Sequence, residues 1–209
     1  MQTLALIDYG SGNLHSAEKA LSRVAAERGD AVEVVVTDDP DVILRADRIV
    51  LPGVGAFGAC RQALGARDGV IEAMTEAVQQ KGRPFLGICV GMQLLATRGL
   101  EYGEHQGLGW IPGEVRPLAA PALKIPHMGW NDVRARGHDL LPPDGDAYFV
   151  HSYHFAPEDE DVIAATCSYG EEFPAAIISG NVAGVQFHPE KSQGYGLALL
   201  GNFIEWSPS

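Results

Sequence analysis

Three short segments of this chain carry residue types that together can perform covalent acyl transfer. The first is Gly87-Ile88-Cys89-Val90-Gly91-Met92-Gln93. A short apolar run leads into it and an amphipathic stretch leaves it, so a strand runs into a tight turn and then a helix. Small neighbours permit the strained elbow that holds a nucleophile above a sheet edge. A helix N-terminus at Cys89 would favour thiolate over thiol. A buried packing cysteine also fits this heptapeptide taken alone.

A thiolate needs a base, and the base needs an orienting group. Gln186-Phe187-His188-Pro189-Glu190-Lys191-Ser192 offers both. A strand delivers His188 to a sheet edge, Pro189 stops it, and Glu190 can fix the imidazole tautomer. A lone His-x-Glu reads as a surface turn. Paired with the cysteine segment it gains weight, because each lies where a strand ends. Pro52-Gly53-Val54-Gly55 also follows a strand, and its glycines let backbone N–H groups of Val54 and Gly55 approach a developing oxyanion. The Val90 amide would be the second donor; a simple loop is the alternative. His151 and His154, three apart in a strand-like run, should point to opposite faces, which argues against a shared metal. His127, beside Met128-Gly129-Trp130, reads as structural or interfacial. Cys60 and Cys167 read as packing residues.

The elements that must position these residues follow from periodicity. Thr3–Asp8 reads as a buried strand, Leu14–Arg28 as a helix, and Val32–Val36 and Arg48–Leu51 as strands. Val70–Lys81 reads as a helix, Arg83–Ile88 as a strand and Val90–Thr97 as a helix. This alternation implies right-handed crossovers and a parallel sheet covered on both faces. The second half shows short strand-like runs at Gly113–Leu118, Asp132–Arg134, Ala147–Val150, Val162–Cys167, Ala175–Ser179 and Val182–Phe187. Ser179-Gly180-Asn181 signals a hairpin between the last two. Tyr195–Trp206 closes as an amphipathic helix. The expected fold is α/β: one domain over 1–209, an open, mostly parallel sheet with helices on both faces, and antiparallel strands added by the C-terminal half.

Composition narrows the function. The chain has 209 residues and a net charge of −12, which disfavours nucleic-acid and anionic-membrane surfaces as its main business. Three cysteines without a CxxC pair fit neither a disulfide framework nor a zinc site and suit a reducing cytoplasm. The N-terminal apolar run is too short for a signal peptide, and no stretch approaches the ~18 apolar residues of a membrane span.

The cysteine elbow, the His188-Pro-Glu190 segment and Pro-Gly-Val-Gly together resemble the triad (Cys-His-Glu) glutamine amidotransferases. Ile7–Leu14, Pro126-His127-Met128-Gly129-Trp130-Asn131 and Tyr148–His154 are most similar to the branch that serves as glutaminase subunits of imidazole glycerol phosphate synthase in histidine biosynthesis. The resemblance covers nearly the whole chain. It implies that Cys89 attacks the glutamine side-chain amide, that His188 moves the proton and that Glu190 holds His188. Glutamine would be held by Gln93 and by backbone around Gly53, Gly55, Ser152 and Tyr153. It implies no metal and no organic cofactor. It also implies a partner, a (β/α)8-barrel cyclase on a separate chain, that receives ammonia through an internal channel, with Asn13, Trp130, Tyr148 and Lys191 at the interface. Since a free glutaminase would waste glutamine, the lone chain is expected to turn the Gly53–Val54–Gly55 N–H away from Cys89. Glutaminase subunits of the anthranilate, guanylate or pyridoxal phosphate type would use identical chemistry. A catalytically dead module and a cysteine peptidase are the remaining rivals. The intact triad opposes the first, and a small glycine-rich pocket opposes the second.

Overall fold

The computed structural model describes residues 1–29 and 32–208. The first half runs β1 (Gln2–Ile7), α1 (Leu14–Arg28), β2 (Val32–Thr37), α2 (Pro40–Arg45), β3 (Arg48–Gly53), α3 (Phe57–Gly65), α4 (Val70–Thr75), β4 (Phe85–Cys89) and α5 (Val90–Gln93). The second half runs β5 (Arg98–Gly99), β6 (His105–Gln106), β7 (Gly113–Pro117), β8 (His127–Ala135), β9 (Gly145–His151), β10 (Tyr153–Pro157), β11 (Ile163–Tyr169), β12 (Glu171–Ser179), β13 (Val182–Val185) and α6 (Gln193–Glu205).

Nine strands form one sheet in the order β2-β1-β3-β4-β13-β12-β11-β8-β9. The pairs from β2 through β13 are parallel, and those from β13 to β9 are antiparallel. β3, β4 and β13 are buried at every position, as parallel strands covered on both faces must be. The path from β1 to β2 runs opposite to that from β2 to β3, so right-handed crossovers put α1 and α2 on opposite faces. α1 packs with α6, and α2 with α4. A crevice opens where the order reverses, beyond the carboxyl ends of β1 and β3. A second sheet, β10-β7-β5-β6, stands beside it.

The hairpin at Ser179-Gly180-Asn181 is present, with Ser179 opposite Val182. Three expectations need correction. The helix after Cys89 is a single turn, Val90–Gln93, and does not reach Thr97. The carbonyls of Leu94, Leu95 and Ala96 accept from Leu108, Ile111 and Gly109, so none remains to propagate a helix. The helix from Val70 turns π-helical at Glu76–Gln80, with Lys81 N–H bonded to the Glu76 carbonyl. His151 and His154 do not share a strand: His151 ends β9 in the large sheet, and His154 lies in β10 of the small one. Periodicity also missed α2 and α3, which are only 6 and 9 residues long.

Candidate active site

Register alone brings the chemistry together. Gly53 at the end of β3 lies opposite Cys89 at the end of β4, and Val185 of β13 lies opposite Ile88. His188, three residues past Val185, therefore emerges at the same sheet edge. Cys89 has φ 54° and ψ −111°, a left-handed conformation that costs a non-glycine residue about 1–3 kcal/mol. The strain is held by close packing. A Cβ on Gly91 would lie 1.9 Å from the Leu51 carbonyl oxygen, and one on Gly87 would lie 2.5 Å from that of Gly91.

His188 is 3% exposed, and its position is fixed from three sides. Its N–H donates to the Tyr148 carbonyl at 2.9 Å, and its carbonyl accepts from Ser192 Oγ at 2.6 Å. Its Nδ1 lies 2.9 Å from Glu190 Oε1, which leaves Nε2 for the sulfur. Burial alone would lower the imidazole pKa. Hydrogen bonds to Cys89 and Glu190 outweigh it and raise the value from 6.5 to about 10. The imidazolium is thus the favoured form. Cys89 Sγ also faces the Val150 carbonyl at 3.9 Å and Gln186 Nε2 at 3.7 Å.

Cys89, Val90, Gln93, Ser152, Tyr153, His188 and Lys191 line one cavity of about 560 Å³, with Val54 and Gly55 on its wall. Gly53 does not line it. A Cβ there would meet Gly91 N, Tyr9 Oη and Val90 Cβ within 3 Å, so this glycine serves close packing of β3 on the elbow. Asn13 also lines the cavity, and its Nδ2 lies 3.5 Å from Glu190 Oε1, so it touches the carboxylate that holds His188. Trp130 and Tyr148 face each other across β8 and β9 with ring centroids 6.0 Å apart, and Lys191 Nζ sits 5.9 Å from the Tyr148 centroid. Of these three only Lys191 lines the cavity; Trp130 lines a separate surface depression with Leu123 and Met128.

The Val54 N–H is aimed at Ser11 Oγ at 3.5 Å, a residue outside the cavity. The Val54 carbonyl accepts from the same hydroxyl at 2.8 Å and from Cys60 Sγ at 3.3 Å. Cys60 is therefore more than packing: it helps hold the strand end, while burial raises its thiol pKa. Across a planar trans peptide the Gly55 N–H opposes the Val54 carbonyl and so faces away from Ser11.

Two residues at the site were not read from the sequence. Glu101 is the only carboxylate lining the cavity among the described residues; no motif marks it. Gln186 lies against the Cys89 sulfur, and its one signal is a polar residue in an otherwise apolar strand end. The buried histidines pair in two separate groups. His127 Nδ1 lies 2.9 Å from His151 Nε2, whereas His154 is 3.3 Å from Arg116 Nε and 3.4 Å from Glu171. Burial lowers His127 to about 4 and His151 to about 3.

A family model for class-I glutamine amidotransferases matches residues 5–206. The chain is 57% identical over 212 residues to the imidazole glycerol phosphate synthase subunit HisH of Rhodospirillum rubrum, covering 98% of this chain and 99% of that protein. It is 55% identical to the subunit of the same name from Zymomonas mobilis, covering 99% and 97%. A crystal structure titled as a glutamine amidotransferase superposes with a TM-score of 0.73 at 20% identity, covering 96% of this chain and 97% of that one, a likeness of fold.

Proposed function

The chain belongs to the class-I glutamine amidotransferases, in the branch of imidazole glycerol phosphate synthase subunits, and on that premise we propose that Cys89, His188 and Glu190 are its catalytic triad. As a member of that branch the chain is a glutaminase that supplies ammonia to histidine biosynthesis. The Cys89 thiolate attacks the side-chain amide carbon of glutamine. The Val90 N–H, next after the nucleophile, donates to the oxyanion. His188 gives its proton to the departing nitrogen, and ammonia leaves a γ-glutamyl thioester. Water then adds to the thioester, His188 takes its proton, and glutamate departs as the sulfur is released. Glu190 keeps the imidazole in register through both halves. The α-ammonium group of glutamine needs an anion, and Glu101 supplies one on the cavity wall. Ser152, Tyr153, Gly55 and Gln93 line the same cavity and complete the wall against which glutamine would lie.

One observation carries this reading: the sheet register that sets the strained Cys89 beside His188, with Glu190 2.9 Å behind it. We read residues 1–209 as one amidotransferase domain that works in the cytoplasm. Three unpaired cysteines suit a reducing compartment, and among the described residues no helix is long and apolar enough to cross a membrane.

The ammonia goes to a separate (β/α)8-barrel cyclase, which uses it to make imidazole glycerol phosphate and an aminoimidazole carboxamide ribonucleotide. Leu123, Ile125, Met128 and Trp130 are exposed large apolar residues beside the cavity wall at Pro126, and such a patch suits a protein interface. The Val54 N–H is engaged by Ser11, so the resting chain lacks that oxyanion donor until the partner and its ligand shift the strand. Loss of one such donor costs about 10²–10³ in rate.

The test is Cys89→Ala with and without the cyclase. Glutamine hydrolysis should vanish, while synthesis from added ammonium salts continues at the unsubstituted rate. Retained glutaminase turnover would overturn the assignment of the nucleophile.

A further inference from the structure

Cys89 Sγ faces a carbonyl as well as its base. As a thiol it donates toward the Val150 oxygen at 3.9 Å. As a thiolate it can only accept, and that oxygen becomes a repulsive neighbour. A donor beyond His188 is therefore needed, and Gln186 Nε2 stands 3.7 Å from the sulfur. Gln186 is fully buried and directly follows β13, so no water competes for its amide.

The orientation of that amide is fixed by its neighbours. Gln93 Nε2 carries two protons, and both meet oxygen acceptors: the Tyr153 carbonyl at 3.0 Å and Gln186 Oε1 at 3.0 Å. With its oxygen taken by Gln93, Gln186 turns its N–H toward the sulfur. The reversed amide would set two N–H groups head to head and an oxygen against the sulfur, leaving buried groups unpaired. The Tyr153 carbonyl is anchored again by His151 Nδ1 at 2.9 Å. That proton obliges His151 Nε2 to accept from His127 Nδ1 at 2.9 Å, and His127 Nε2 to accept from Asn131 Nδ2 at 3.2 Å. Donors and acceptors alternate without conflict from Asn131 to the sulfur.

We propose that Gln186 is a further catalytic residue, whose side-chain amide donates to Cys89 Sγ and stabilises it as the attacking and departing thiolate, and that Gln93 is the positioning residue that aims it. This rests on Cys89 being the nucleophile. During acylation the amide steadies the sulfur before attack. During deacylation it meets the negative charge that returns to sulfur when the thioester opens.

The test measures thiolate directly, without substrate. The whole chain is treated with iodoacetamide at pH 7, and alkylation of the Cys89 peptide is timed by mass spectrometry. Gln186→Met keeps length and cannot donate. Its alkylation should slow about tenfold, the loss of one hydrogen bond to a charged group. Its kcat for glutamine should fall with KM little changed. Gln93→Met should slow alkylation in the same direction by a smaller factor. Where Gln186→Met unfolds, Gln186→Glu puts an acceptor against the sulfur at unchanged size and should slow alkylation further. Alkylation of Gln186→Met and Gln93→Met within twofold of the unsubstituted rate would overturn the proposal while leaving the triad standing. Retained glutaminase in Cys89→Ala would remove its premise, an outcome separable from the first.

Discussion

Glu190 shows how little slack the triad has. One oxygen serves His188 and Asn13, and the other is buried with no partner among the described residues. A carboxylate in that setting is stable only opposite a cation, which the raised His188 provides. Glu190→Gln should therefore lower glutaminase kcat by about 10²–10⁴-fold, less than loss of Cys89, because an orienting group contributes less than the nucleophile. A loss as large as that of Cys89→Ala, measured under saturating glutamine, would contradict this division of roles. The His127–His151 pair makes a second prediction, in pH. Both values are depressed below 6.5, so the unfolded chain binds protons that the folded chain refuses. Their contribution to stability is intact above pH 6.5 and is lost as pH falls through about 4 for His127 and about 3 for His151. Between those limits each histidine adds about 1.4 kcal/mol per pH unit to the slope of unfolding free energy. His127→Gln should flatten that slope by this amount in urea melts at pH 5 and 6. An unchanged slope would mean that His127 is charged in the fold.

At the scale of elements, the elbow depends on the approach of α5 to β3. A single helical turn offers the sulfur little macrodipole. What the turn supplies is geometry, and Gly91 permits it. Gly91→Ala would force a Cβ to within 1.9 Å of a backbone oxygen that has no freedom to yield. Overpacking of this kind costs about 3 kcal/mol or more, a fall in Tm of roughly 6–12 °C for a chain of this size. Calorimetry decides the point: a variant that melts as the unsubstituted chain does would show the contact to be relieved elsewhere. The same closeness limits Gly53, whose hydrogen atom faces the elbow rather than the substrate.

At the scale of the molecule, the long sheet divides the labour. Its parallel half supplies the elbow and the Val54 strand end, and its antiparallel half carries the Trp130–Tyr148 pair. The exposed patch at Leu123, Ile125, Met128 and Trp130 is where a partner of apolar character would seat. The isolated chain should hydrolyse glutamine slowly, and addition of the cyclase with its ribonucleotide ligand should raise the rate by 10²-fold or more, about the value of one oxyanion donor. Met128→Asp should weaken that stimulation without slowing the basal reaction. Full basal activity in the lone chain would show that the Ser11 contact to Val54 imposes no restraint.

The motif residues, the parallel core and the hairpin at Ser179–Asn181 were legible in the sequence. Each of those is a local statement: a turn needs glycine, a buried strand needs an apolar run, and a nucleophile at an elbow needs small neighbours. The sequence also placed Cys89, His188 and Glu190 at strand ends, since strand length is written in the residues that make it. Tertiary structure decided everything that depends on which strand lies beside which. The pairing of β13 with β4 sets His188 beside Cys89 across 98 intervening positions. The same pairing aims the Gln186 amide at the sulfur, and no local pattern in Val185-Gln186-Phe187 announces this. The length of α5 was likewise a tertiary outcome, because distant amides at Leu108, Gly109 and Ile111 claim the carbonyls that a longer helix would use. Helical periodicity describes what a segment prefers; competition for its hydrogen-bonding groups is settled only when the rest of the chain arrives.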